Sequence, residues 1–310
     1  MGLSILLAEQ IAAMFLTMAV GYAIVKIGLF RSEDSKVISN MVVYICSPCI
    51  IVDAFQIELT QDKLMGLALS IVMAAVVHAM MIGGMKLLEK PLHVNSIEKA
   101  SVIYTNSGYL VVPLVASVLG NEWVFYTTGY TIIQTILLWT HGIGVISRRR
   151  ERDYKKIFLN PNIIAIGIGT LLFITELRLP TVIGSCVRGF GDMVASASML
   201  VIGMVIGNVD LLWVFRQKRP YLICFLRLIA FPAAAVLIFV IVGRMGIHPD
   251  AEYILLIVLL AAVAPAATMV TQVAQIYDMD SRYASVINVM SVIFCIITMP
   301  LMALCFEMFL

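Results

Sequence analysis

Few ionisable or hydrogen-bonding side chains interrupt the long apolar runs of this sequence, and its chemistry is confined to them. Asp53 sits in one run, Asn106 in a second, Thr268 and Gln272 in a third and Asn288 in a fourth. A carboxylate in such a run is costly unless it faces a cavity, pairs with a cation or takes up a proton. Asp53 therefore reads as a proton- or ion-coupling group, as part of a structural ion pair or helix cap, or as an interfacial residue beyond the true end of its run. Asn106, Thr268, Gln272 and Asn288 suit a hydrogen-bonded ligand, yet such groups equally tie neighbouring helices together. Ser47, Gln134 and Gln275 pose the same choice. Arg227 lies only a few residues inside its run and reads as a side chain snorkelling to the interface. Asp192, at the start of another run, reads as an N-terminal cap. His78 and His141 read as packed core or interfacial residues rather than proton shuttles.

Other chemistries are missing. No HExxH and no Walker A pattern occurs, which disfavours a zinc protease and ATP hydrolysis by this chain. Cys46 and Cys49 match the bare CxxC spacing but have neither a second ligand pair nor polar support, so they read as small apolar filler. No nucleophile lies at a plausible spacing from a base. Neither a metal, a cofactor nor an enzymatic activity is expected, and a net charge of +2 gives no reason to expect a nucleic-acid partner.

The 310 residues are 61% hydrophobic and 13% charged, with mean hydropathy +1.00, whereas a soluble domain is about a quarter charged. Too little polar surface remains to face water, so lipid must solvate part of the chain. Crossing about 30 Å of hydrocarbon takes about 20 helical residues. Such stretches occur at approximately 5–25, 37–56, 64–86, 100–119, 124–146, 161–177, 190–208, 220–243, 252–274 and 283–306. About ten transmembrane helices are expected, and continuous runs of this kind exclude a β-barrel.

Charge in the loops orients them. With both termini outside, the cytoplasmic loops hold Lys26, Arg31 and Lys36, then Lys86, Lys90 and Lys99, then a dense central run of Arg148, Arg149, Arg150, Arg152, Lys155 and Lys156. Arg216, Lys218, Arg219 and Arg282 follow on the same side, while the opposite loops hold only Lys63, Arg178, Arg188 and Arg244. That bias obeys the positive-inside rule. The central run divides the chain into 1–146, a basic cytoplasmic loop at 147–160, and 161–310. Five spans on each side make the second half enter the membrane the opposite way up, so a repeat would be inverted.

The fourth and ninth spans each carry a proline near the centre, Pro113 and Pro265. Proline removes a backbone donor and clashes with the preceding turn, so both helices are expected to kink or break there and free peptide groups. Lipid tolerates such groups only against protein or a watery cavity. Asn106 then lies about 10 Å from Pro113, and Gln272 at a matching depth from Pro265. The pair points to a ligand site at the membrane midplane, where the positive end of a half-helix attracts an anion.

Several stretches carry a further likeness. Ser39 to Pro48 in the second span, Asn106 to Pro113 in the fourth, Asn160-Pro161-Asn162, the Pro265 segment and Ser291 to Pro300 together resemble the auxin efflux carrier family of membrane transporters. The form is the short bacterial one, similar to malate or malonate permeases. This resemblance implies an all-α polytopic membrane protein of ten helices in two inverted five-helix repeats, with the fourth and ninth crossing at proline breaks. Asn106, Pro113 and Pro265 fall on the family's crossover positions. It further implies secondary transport, by efflux or exchange, of small organic anions such as dicarboxylates or auxin-like carboxylates. Homodimers in a bacterial inner membrane are implied too, with protons or sodium as coupling ions and Asp53 as the candidate proton carrier. The long central loop of plant members is replaced here by residues 147–160. An anion channel and a non-transporting membrane receptor for such a ligand are the alternatives.

Overall fold

The computed structural model describes residues 3–148 and 154–309; Arg149, Arg150 and Arg152 of the basic run lie outside the described residues. In chain order the main helices begin with α1 (Leu3–Lys26), α2 (Ser32–Ala54) and α3 (Gln61–Leu88). Next come the pair α4 (Ser96–Ile103) and α5 (Ser107–Val118), then α6 (Asn121–Ser147) and α7 (Pro161–Ile174). The rest are α8 (Thr181–Gly207), α9 (Arg219–Arg244), the pair α10 (Ala251–Val263) and α11 (Thr268–Ile276), and α12 (Ser281–Phe309). Among the described residues seven helices are long and apolar enough to cross a membrane, and α5, α7 and α10 are shorter apolar helices. Only 22 to 50% of the apolar window in each long helix is buried, and Leu16 (70% exposed) and Ile297 (72%) face outward. Apolar area on that scale needs lipid beside it rather than water. The chain is an all-α polytopic membrane protein.

Prolines shape these helices more often than they end them. In α2 a π turn at Val42–Cys46 stops two residues before Pro48, and in α9 a π turn at Leu226–Ala230 stops two residues before Pro232. Each proline lacks an N–H and crowds the preceding turn, and a locally widened turn lets it pass. Pro113 likewise lies inside α5, which runs unbroken through it. The fourth span is interrupted earlier, at Tyr104-Thr105-Asn106, so Asn106 belongs to the break instead of lying beyond it. The ninth is interrupted from Ala264 to Ala267, which includes Pro265 as expected. Asp192 is not a cap, because α8 begins at Thr181 and holds it in the helix interior.

The chain forms two compact units, each drawing on both halves of the sequence. The first comprises Met1–Leu67, Gly108–Thr128 and Phe158–Asp210. Here α1 and α8 touch backbone to backbone: a Cβ on Gly203 would lie 2.0 Å from the Met18 carbonyl oxygen, and one on Gly21 would lie 2.4 Å from that of Leu200. Gly203 and Gly207, one turn apart, form the small-residue stripe that permits this approach. Asn160 caps α7 by accepting from the N–H groups of Asn162 (3.0 Å) and Ile163 (3.3 Å), and Pro161 fits the first helical position.

The second unit comprises Ala68–Ser107, Gly129–Ile157 and Leu211–Leu310. Its centre is α10, where no residue from Ile254 to Val263 is more than 1% exposed. A helix apolar on every side is a core helix. The first half of the broken ninth span is therefore enclosed by protein.

Candidate functional site

The two interruptions meet within the second unit. Thr105 and Ala266 form an isolated antiparallel bridge. The Asn106 N–H donates to the Pro265 carbonyl at 2.8 Å, and the Ala267 N–H to the Tyr104 carbonyl at 3.0 Å. Side chains take most of what remains. Gln134 of α6 accepts from the Thr105 N–H (3.0 Å) and hydroxyl (2.7 Å), and donates to the Thr105 carbonyl (3.0 Å). Ser291 of α12 accepts from the Ala266 N–H at 3.0 Å, and Asn288 donates to the Ala266 carbonyl at 2.6 Å. Arg227 donates to the carbonyls of Val102 (3.1 Å) and Ala264 (2.6 Å). A buried break needs such partners, since a peptide group left unpaired costs about 1–3 kcal/mol.

Peptide groups inside the breaks are thus largely occupied, against the expectation that they stand free for a guest. What stays open lies beside them. Asn106 is 7% exposed, and among the described residues its carboxamide has no hydrogen-bond partner. The helices α5 and α11 start directly after the breaks, and first-turn amides have no intrahelical acceptor, although the Val270 N–H of α11 already donates to the Ala267 carbonyl at 3.0 Å. Thr268, the first residue of α11, is half-buried there. Each such helix end carries about half a positive charge. An anion is the ligand this chemistry suits.

The structure gathers Asn106, Pro265, Thr268 and Asn288 at the crossover, with Asn288 propping the break. Gln272 lies one turn beyond Thr268 on α11 and is exposed. Asp53 and Pro113 belong to the first unit. The Asp53 carboxylate, 9% exposed, has Oδ1 3.8 Å from Nη1 of Arg188. Pro113 lines a cavity of about 210 Å³ with Ile50, Ser117, Asn121, Gly191 and Asp192. His78 is fully buried with Nδ1 2.8 Å from the Ala74 carbonyl, and His141 Nδ1 lies 2.7 Å from the Tyr104 hydroxyl.

Sequence reasoning undervalued Gln134 and Arg227 and missed Ser291. Arg227 does not snorkel: it is 0% exposed, because α9 starts at Arg219 and places it two turns inside. An arginine in an apolar run with a proline shortly after it was the available signal. Glu98 was also missed. Its carboxylate accepts from Arg219 Nε (2.8 Å) and Nη2 (3.1 Å) and from the Tyr283 hydroxyl (2.7 Å), and it completes a capping box with Asn95. Burial pushes the Glu98 carboxyl up, but the bonds from Arg219, the Asn95 backbone and Tyr283 outweigh it and hold the group below its ordinary value. Glu98 precedes the apolar stretch of its span and ties the starts of α4, α9 and α12 together.

Two broken helices bridged at their breaks inside an apolar helical protein fit the architecture of many secondary transporters. Over residues 6–303 the sequence matches the model of a family described as Membrane transport protein. The chain belongs to that family, which is the auxin efflux carrier and malate/malonate permease-like one. It is a family of transporters, not enzymes, and among the described residues no group of three or more His, Cys, Asp or Glu is placed to hold a metal ion. No curated protein matches the chain.

Proposed function

We propose that this chain is a secondary carrier of small organic anions working by alternating access. Its ten helices form two inverted five-helix repeats, 1–146 and 161–310, joined by a basic cytoplasmic loop at 147–160. The observation that carries the reading is the bridged crossover with Asn106 beside it, a residue 7% exposed whose unpaired carboxamide still reaches open space. A symmetry of supports favours the repeat: Gln134 of the fifth span holds the first break, and Asn288 and Ser291 of the tenth hold the second.

The anion sits at mid-membrane against Asn106, Thr268 and the first-turn amides of the half-helices, with Gln272 lining the approach along α11. Pro113 weakens α5, which lacks one ladder hydrogen bond there. Asp53 carries the coupling proton, with Arg188 as its nearby cation; sodium is the other candidate ion. The protein acts as a homodimer in a bacterial inner membrane with both termini periplasmic. Reconstituted into proteoliposomes, it is expected to show saturable counterflow of malate, malonate or indole-3-acetate. Flux that rises linearly without saturation makes the chain an anion channel, and binding without flux makes it a receptor; either result ends the carrier reading.

A further inference from the structure

Arg227 forms no ion pair with a carboxylate among the described residues, yet it is fully buried. Guanidinium groups keep their proton in proteins, so a whole positive charge stands here without an acid to balance it. The titratable groups within its electrostatic reach, Tyr130, Cys295 and His78, carry no negative charge in their ordinary forms. Its partners are instead the Met81 sulfur, the carbonyl of Val102, in the last turn of α4, and that of Ala264, the residue that follows α10. Both carbonyls lie at C-terminal helix ends, and each such end carries about half a negative charge.

We propose that Arg227 makes the crossover selective for anions by cancelling the negative ends of α4 and α10, so that the positive ends of α5 and α11 beside Asn106 act uncompensated. Two C-terminal ends contribute about −1 in total and two N-terminal ends about +1. Without Arg227 the crossover is close to neutral; with it the balance is about +1. Its side chain is fully buried, so Arg227 reaches a ligand through its field and is a positioning residue. A charge held in this way favours an anion without forming a salt bridge that would have to break at release. The proposal rests on the carrier reading for its ligand, but its test needs no substrate.

The test uses the full chain in proteoliposomes carrying Thr268→Cys. Modification of that cysteine by anionic sulfonatoethyl and cationic trimethylammonioethyl methanethiosulfonates is followed by mass spectrometry of its peptide. Arg227→Gln keeps an amide that donates to a carbonyl but removes the charge, whereas Arg227→Lys keeps the charge and loses the fork. The anionic-to-cationic rate ratio should fall at least about tenfold in Arg227→Gln, as expected for one charge roughly 10 Å away at an effective dielectric of about 20. It should stay within about threefold of the parent in Arg227→Lys. An unchanged ratio in Arg227→Gln overturns the proposal, and so does failure of both variants to insert, which makes Arg227 a structural clamp alone. Counterflow by the unsubstituted chain is scored separately: a charge-dependent ratio without counterflow removes the carrier and leaves the selectivity standing.

Discussion

Replacing Gln134 by leucine asks whether side chains hold the break in the fourth span. Leucine is close to glutamine in size and removes the bonds to the Thr105 N–H (3.0 Å), hydroxyl (2.7 Å) and carbonyl (3.0 Å), and the weaker one to the Ser107 hydroxyl (3.3 Å). Thr105 is 2% exposed, so water does not replace what is lost. The peptide N–H and C=O of Thr105, each unpaired at about 1–3 kcal/mol, give a destabilisation of about 2–6 kcal/mol in all. Unfolding by SDS titration in mixed micelles measures it. Gln272→Leu is the control for stability, since that side chain is exposed and should change the free energy by less than about 0.5 kcal/mol. Equal stability of the two variants would refute the reasoning, because the Thr105 peptide would then not depend on Gln134.

Gly203→Val drives a side chain into the Met18 carbonyl, which a Cβ already meets at 2.0 Å, and should destabilise by about 1–3 kcal/mol or more. Gly167→Ala, where a Cβ meets nothing within 4 Å, should be neutral or slightly stabilising, and similar micelle unfolding curves for these two variants contradict close α1–α8 packing. Glu98 titrates below its ordinary 4.5 in the folded protein; its contribution is present above that pH and is lost as pH falls through the folded value. Thermal stability should therefore drop on acidification below about pH 4.5, and Glu98→Gln should flatten that drop; an identical acid profile in the variant removes Glu98 from the account. Asp53→Asn should weaken transport driven by an imposed proton gradient, and an unchanged response discards its coupling role.

Much of the helical plan was legible because length and apolarity are local properties: each apolar stretch overlaps a helix or a broken pair. The break at Tyr104–Asn106 was not. None of those residues is Pro or Gly, and what interrupts the helix is a distant bridge to Ala266 and the grip of Gln134. Pro113 was the wrong landmark, because one proline removes one hydrogen bond and a helix tolerates that when its surroundings hold it. Pro265 was the right one, since Ala266 beside it finds partners in Asn288 and Ser291. Arg227 was misplaced because hydropathy marks where a stretch becomes apolar and not where its helix begins, and α9 begins at Arg219. The same error moved the start of α8, where Arg188 and Asp192 hid a helix that begins at Thr181.

The half-saturation concentration for counterflow in Asn106→Ala proteoliposomes tests the central claim most directly. The Asn106 carboxamide has no partner among the described residues, so its removal should leave insertion and unfolding unchanged. Losing a hydrogen bond to a charged ligand, worth about 1.5–3 kcal/mol, should raise half-saturation roughly ten- to a hundredfold. A variant that inserts normally and saturates at the parent's concentration would contradict an anion site at the crossover.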